Sequence, residues 1–446
     1  MPGISVSLSG GGHRAALFGL GALIYLADAG KNHEVTSIAS VSGGSLTNAH
    51  LAQSLDYAAA SADEVEGWAR VPAKRFATQG TLLAARITWI YLVSLFVLTG
   101  AVVAGVWFLP IPIWALILVF VTGFAFVGWV AQLRGAVCGR AFAATLFTPP
   151  AQRRPTRLRE IHGEIDHVIC STELHAGEHV YFSGRFVCAY RFGYGQPGDL
   201  PLHVAVQASA SFPGGFPARW LRTSRHHFEN AQDPAAAKAR YLVLVDGGVY
   251  DNMGDQWAQG IGARKRRWGA LAAALHEPDE LIVVNASGGL GFGSVAGLRI
   301  PWIGELLTLL RDKSVLYDDG TSVRREALIA RFQLAELRHS GLRGTLVHIP
   351  QTPYVVPKAF EHDTTDPARA ARARAVLAAL GDHEDEWKAT ADANSKVGTI
   401  LWNIGTEASA RLLRHAYVLA MVNLHVILDY PLLPMPDPER FEALIS

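Results

Sequence analysis

An α/β fold interrupted by an inserted pair of membrane-spanning helices is what this sequence predicts. Three stretches carry that prediction. Ile4-Ser5-Val6-Ser7-Leu8 alternates as a strand, meets the run Ser9-Gly10-Gly11-Gly12-His13-Arg14, and continues into a helix-like stretch over 15–29 that Gly30 ends. Val35-Thr36-Ser37-Ile38-Ala39 is β-rich and apolar, and passes through Ser40-Val41-Ser42-Gly43-Gly44 into a helical stretch over 46–60. From 87 to 131 there is no Asp, Glu, Lys, Arg or His.

Composition bounds the function classes. The 446 residues leave room for one large domain or two ordinary ones. Half are hydrophobic and 18% are charged, an apolar surplus that sits mainly in 87–131. A net charge of +1 gives no electrostatic footprint for nucleic acid. Cys138, Cys170 and Cys188 are odd in number and lack metal-ligand spacing, so a reduced compartment is expected, with no metal and no cofactor. Met1-Pro2-Gly3-Ile4 has neither a basic n-region nor an apolar h-region, so no signal peptide is expected.

The first glycine run has two functional readings, with a glycine turn that only packs the helix as the plainer alternative. It is either a phosphate cradle or an oxyanion hole in which Gly10, Gly11 and Gly12 aim amides at a tetrahedral intermediate. The Gly-Lys-Ser/Thr of a phosphate loop is missing, and the dinucleotide fingerprint is poorly formed, with Ala15 at its sixth position. Arg14 adds a fixed positive charge beside either ligand. Ser42, between a strand and a helix and hemmed in by small residues, fits the nucleophile-elbow pattern, with Ser40 where the first glycine would stand. A tight Ser-Gly-Gly turn that only caps a helix is the plainer alternative.

The uncharged run is broken at Pro110-Ile111-Pro112. Each half has about 20 residues, and about 1.5 Å per residue gives about 30 Å, a bilayer's hydrocarbon thickness. Two membrane helices are therefore expected, at about 87–109 and 113–132, with Trp89, Tyr91, Trp107, Trp114 and Trp129 near their ends. Lys74, Arg75 and Arg86 precede the pair, and Arg134, Arg140, Arg153 and Arg154 follow it. The positive-inside rule then puts both long flanks on the cytoplasmic side.

Farther on, residues 165–172 and 179–183 read as strands, 185–190 as a possible third, and 202–211 as a short helix of small residues. Residues 222–239 read as a surface loop, and His226-His227 lacks a third metal ligand. Tyr241-Leu242-Val243-Leu244-Val245 is a buried strand that delivers Asp246-Gly247-Gly248. An aspartate at the C-terminal end of a parallel-type strand is well placed for catalysis, and an Asx-turn is the structural alternative. Residues 255–275 read as helical and carry Arg264-Lys265-Arg266-Arg267, either a solvated face or an anionic-lipid contact. Residues 280–285 form a strand, Asp319-Gly320 and Ser340-Gly341 turns, and 367–380 and 407–428 helices.

Taken jointly, Gly10-Gly11-Gly12-His13-Arg14, Ser42 in its elbow, and Asp246-Gly247-Gly248 resemble the patatin-like phospholipases in order and spacing. Ala208-Ser209-Ala210-Ser211-Phe212-Pro213 is similar to that family's helix-and-proline block before the aspartate. The resemblance covers about residues 4–60 and 165–290. It implies a three-layer α/β/α hydrolase with a mostly parallel central sheet. It implies a Ser42–Asp246 dyad, an oxyanion hole from Gly10, Gly11 and Gly12 with Arg14 beside it, and acyl-ester membrane lipids as substrate. Ser40 and Ala15 depart from the family pattern.

The expected organisation is an N-terminal catalytic part over 1–80, a hairpin insertion over 81–140, the rest of the catalytic domain over 141–300, and a mainly helical region over 301–446. The expected activity is that of a membrane-anchored lipid acyl hydrolase. Two alternatives stay open: an inactive membrane scaffold or sensor, motivated by Ser40, and a Ser-His-Asp esterase using His276, His339 or His348.

Overall fold

The computed structural model describes residues 3–108, 112–272, 275–289 and 303–446. Among the described residues, ten strands form one sheet: β1 (Ile4–Leu8), β2 (Val35–Val41), β3 (Asp166–Glu173), β4 (Glu178–Phe182), β5 (Val187–Ala189), β6 (Gly193–Gly195), β7 (Arg219–Arg222), β8 (Tyr241–Asp246), β9 (Glu280–Asn285) and β10 (Arg343–His348). The order β10-β9-β1-β2-β3 is parallel throughout. Beyond β3 the sheet turns antiparallel, through β4, β5 and β6 on one side and through β8 and β7 on the other. The sheet is thus mixed, and the strand carrying Asp246 runs against β3, not along it as expected.

Strand alternation sorts the two faces. Val6, Leu8, Ile38, Ile169, Ile282 and Val284 join a core with the helices α1 (Gly12–Asp28) and α2 (Gly43–Ser54) and with the C-terminal helix Thr406–Leu428. Val41, Val168 and Cys170 face Trp257 and Trp268, and Leu281 and Val283 face Leu328 and Phe332. Helix α1 is buried from Gly12 to Ala27, because it is sandwiched between the sheet and the C-terminal helix. Gly21 allows that contact: a Cβ there would strike the Leu413 carbonyl and lie 3.0 Å from Ala416 Cβ. The C-terminal helix tolerates its polar residues through partners, as where His415 contacts Asn394 at 3.1 Å and the Gln351 carbonyl at 2.9 Å.

Helix α3 (Ala62–Lys74) starts with a capping box in which Ser61 and Glu64 bond reciprocally. It leads to α4 (Arg86–Phe108) and α5 (Ile113–Ala131), followed by α6 (Arg134–Thr145). Among the described residues, two helices are long and apolar enough to cross a membrane, and only 6% of each apolar window is buried against protein. They lie side by side, with Gly123 facing Val102 and the Tyr91 hydroxyl donating to the Ala131 carbonyl at 3.2 Å. Of the expected Pro110-Ile111-Pro112 turn, Pro110 and Ile111 lie outside the described residues.

Several local readings need correction. Asp319 and Gly320 do not form a turn: they lie within the helix Ile303–Leu337, which is held by long-range partners described below. Residues 222–239 include the end of β7 and a short helix, and His226 is buried with its Nδ1 at 2.9 Å from the Gln196 carbonyl oxygen. In the basic run, Arg264 is buried over the Tyr181 and Trp257 rings and donates to the carbonyls of Trp257 and Gln256.

Candidate active site

Ser42 stands between β2 and α2 with φ 50° and ψ −113°, a conformation that costs an L-residue free energy. Close packing sustains it. The Ser42 N–H donates to Ser209 Oγ at 2.9 Å, and Ser209, on α7 (Leu202–Ser209), donates in turn to the Cys170 carbonyl at 2.6 Å. The Gly44 N–H donates to the Ser9 carbonyl at 3.1 Å. A Cβ on Gly43 would overlap the Gly12 carbonyl oxygen and lie 2.6 Å from the Gly12 nitrogen. Only glycine fits where the elbow meets the glycine loop.

Asp246 reaches the same place from the other direction. Val41, the last residue of β2, pairs with Cys170, while Asp246, the last residue of β8, pairs with Ser171. Two strands thus meet end to end along one edge of β3, and the turns that follow them share the junction. A Cβ on Gly247 would strike the Cys170 carbonyl and lie 3.2 Å from Val41 Cγ1. Asp246 is buried, its N–H donates to the Ser211 carbonyl at 3.0 Å, and its Oδ1 accepts the Gly248 N–H at 2.8 Å. The Asx-type turn is real and occupies one carboxylate oxygen.

The glycine loop lies over this junction. Gly11 and Gly12 have φ of 139° and 60°, values that favour glycine. Among the described residues the N–H groups of Gly11, Gly12 and Gly43 have no hydrogen-bond acceptor. Gly10 differs from the expectation: its N–H is bonded to the Asn252 carbonyl at 3.0 Å, so it fixes the loop and is not available to an oxyanion. A Cβ on Gly10 would overlap Asn252 Oδ1 and lie 3.2 Å from Ser42 Cβ. Arg14 is also partly committed. Its Nη1 donates to the Val397 carbonyl at 2.6 Å, while its Nη2 lies 3.3 Å from where a Gly11 Cβ would be. Burial holds its guanidinium below the usual arginine range.

A family profile described as patatin-like phospholipase matches residues 6–254, which span β1, the glycine loop, Ser42, the apolar helices and Asp246. The chain belongs to the patatin-like phospholipase family. Human GIVD cytosolic phospholipase A2 is similar at 13% identity and a TM-score of 0.42, over 99% of this chain and 60% of that one. VipD from Legionella pneumophila is similar at 15% identity and a TM-score of 0.25, over 56% of this chain and 46% of that one. The chain spans about three fifths of the length of the human enzyme. No curated protein matches it.

In this member of the family the Ser40 departure is built into the elbow. Ser40 Oγ donates to the Val168 carbonyl at 3.1 Å and accepts from Asn48 Nδ2 at 2.9 Å and Ser45 Oγ at 3.1 Å. Ser45 Oγ also lies 3.0 Å from Ser209 Oγ. Each hydroxyl has one proton, so Ser45 directs its own to Ser40 or to Ser209, whose protons go to carbonyls. A glycine at 40 would remove a member of this network.

Four further residues support the site: Ser209, from the helix-and-proline block, and Asn252, Tyr317 and Arg324, which carried no local sequence signal for it. Ser209 and Asn252 act as just described, and Asn252 Nδ2 also donates to Ser287 Oγ at 2.6 Å. Tyr317 and Arg324 come from the helix Ile303–Leu337. The Tyr317 hydroxyl lies 2.8 Å from where a Gly248 Cβ would be, and burial, then the Asp246 charge, push it well above its usual range. Arg324 pairs with Asp251 at 3.3 Å and Asp255 at 3.5 Å. Burial, then the Asp251 charge, push Asp255 up to about 7. Of the three expected histidines, His276 and His339 are exposed. His348 is buried against the Ser287 carbonyl at 3.2 Å, and burial lowers it to about 4. The histidine beside the aspartate turn is His179, whose Nε2 lies 3.1 Å from the Gly247 carbonyl oxygen and which burial holds at about 4.

Proposed function

We propose that this protein is a membrane-anchored serine lipid acyl hydrolase that works through a Ser42–Asp246 dyad. One observation carries the reading: β2 and β8 end against adjacent residues of β3, beside amides that have no acceptor among the described residues. Asp246 takes the Ser42 proton as Ser42 Oγ bonds to the ester carbonyl carbon. The oxyanion is received by the Gly11, Gly12 and Gly43 amides, at the positive end of α2. Collapse expels the alcohol, which takes the proton from Asp246. Water then gives a proton to Asp246 and hydroxide to the acyl carbon, and as the intermediate collapses Asp246 returns that proton to Ser42 Oγ, releasing the fatty acid.

The helices α4 and α5 serve as the anchor, with the catalytic domain on the cytoplasmic side. The division of the chain into a catalytic domain split by a hairpin and followed by a helical region fits this reading. β10 and the C-terminal helix from that region then complete the sheet and its core.

The test is hydrolysis of a chromogenic acyl ester and of vesicle lipids by purified protein in a bilayer. Ser42→Ala and Asp246→Asn are each expected to lower the rate by about 10³-fold or more. A rate that Ser42→Ala leaves unchanged ends the reading. A His179→Gln, His276→Gln, His339→Gln or His348→Gln variant with a comparable loss would favour a histidine relay over the dyad.

A further inference from the structure

Both roots of the apolar helix pair attach beside the catalytic junction. On the α4 side, the N–H groups of Thr81 and Leu82 donate to the Leu401 carbonyl, each at 3.1 Å. The neighbouring Ile400 carbonyl accepts the His13 N–H at 2.9 Å, and the His13 ring bridges Thr81 Oγ1 at 2.9 Å and the Trp402 carbonyl at 2.8 Å. That root is therefore one side chain away from Gly12. On the α5 side, Arg134 Nε donates to the Gly215 carbonyl at 2.8 Å. Gly215 belongs to the turn that follows Ser211, whose carbonyl holds the Asp246 N–H. One root thus abuts the glycine loop and the other the aspartate turn.

The surface around these roots has the character of a membrane interface. Leu83 and Leu133 are exposed at the two roots, and Phe212 and Trp402 are 51% and 47% exposed on the segments that brace them. Trp89, at the start of α4, donates its indole N–H to the Leu83 carbonyl at 2.8 Å. Arg86 and Arg134 have no carboxylate partner among the described residues. Apolar and aromatic side chains beside arginines that lack a carboxylate partner among the described residues match the boundary between acyl chains and phosphate headgroups.

We infer that the catalytic edge of the sheet lies flat on the bilayer, with Leu83, Leu133, Phe212 and Trp402 dipping into the leaflet around the Ser42–Asp246 junction. The acyl ester then reaches Ser42 laterally from the leaflet that holds α4 and α5, without passing through water. The inference rests on the proposed anchoring by these helices, because they set where the bilayer begins.

The experiment measures depth, not turnover. Leu83→Cys, Phe212→Cys and Trp402→Cys are labelled with an environment-sensitive fluorophore in full-length protein reconstituted into phosphatidylcholine–phosphatidylglycerol vesicles. Cys138, Cys170 and Cys188 are buried and leave the introduced thiol as the reactive one. Val97→Cys, in the middle of α4, reports on anchoring, and Glu277→Cys, at the opposite edge of the sheet, is the water-exposed control. The three rim probes are expected to shift to the blue and to be quenched by lipids spin-labelled near the glycerol. The Val97 probe is expected to be quenched by mid-chain labels, and the Glu277 probe by neither. A quenched Val97 probe with unquenched rim probes overturns the inference and leaves the anchor standing. An unquenched Val97 probe overturns the anchor, and the inference with it. Loss of lipid hydrolysis in Ser42→Ala is scored separately and bears on the dyad alone.

Discussion

The turn that carries Ser42 and the turn that carries Asp246 meet end to end along one edge of β3, yet they are held by different means. The serine turn is packed backbone to backbone: Gly43 on Gly12, Gly44 on Leu8 and Ser9, and the Ser42 N–H on Ser209. Every group in that set is neutral. The aspartate turn has its own short bonds from Gly248 and Thr172 to Asp246, but its continuation through Asp251 and Asp255 is held by Arg324 from a distant helix. The geometry of Ser42 is set by shape, whereas the segment following Asp246 is set by charge. Shape is insensitive to pH; buried charge is not.

The sharpest attack on the neutral side is Gly43→Ala. Its Cβ cannot coexist with Gly12, so the loop must move, and with it the amides proposed to receive the oxyanion. A loss of about 10²–10³ in kcat/KM is expected, of the order of one oxyanion donor, with a stability cost of about 1–3 kcal/mol from overpacking. Rates within a few-fold of wild type would show that shape is not what sets the nucleophile.

On the charged side, Arg324→Ala leaves two buried carboxylates without their cation. The expected cost is about 2 kcal/mol or more, read from denaturant unfolding. Hydrolysis should survive better than in Gly43→Ala, since no group at the reacting carbon is removed. The pH dependence separates the two turns more finely. Asp255 holds its proton more tightly folded than unfolded, so stability falls as pH rises from about 4, the ordinary carboxylate value, through about 7, where the folded group ionises. Asp255→Asn is expected to flatten that part of the curve of thermal midpoint against pH. A wild-type curve that Asp255→Asn leaves unchanged would remove the charge side of the comparison.

The smallest effect is expected from Ser40→Gly, which restores the elbow's usual glycine. It deletes the hydroxyl that accepts from Asn48 and Ser45. A loss of about 1 kcal/mol in the unfolding free energy is expected, with activity changed by no more than about three-fold, because Ser209 still holds the Ser42 N–H. A gain in stability would mean that the hydroxyl network is incidental.

Much of the site could be read from local chemistry. Strand, glycine run and helix at residues 4–29, and strand, serine and helix at 35–54, follow from periodicity and from glycines that the turns require. The apolar pair was legible because nothing but a long uncharged run looks like it. The helix Ile303–Leu337 was not, since Asp319-Gly320 reads as a turn by local preference and the helix carries no clear amphipathic stripe. Gly10 was misassigned for a related reason. Its sequence neighbours say that it is in the loop, but whether its N–H is free depends on Asn252, far along the chain.

By itself, the order of residues determined which strands feed which turns, which glycines are needed, and which stretches are long and apolar enough to cross a membrane. Those are consequences of φ/ψ preference and hydrophobicity, and they act over a few residues. Only the tertiary structure decided that β8 runs against β3 to bring Asp246 end to end with Ser42's strand, that Arg324 neutralises the segment beyond it, and that both roots of the apolar pair brace the edge of the sheet that carries Ser42 and Asp246. Those are pairings between distant parts of the chain, selected by backbone hydrogen bonds and buried charge, which no short window of sequence contains.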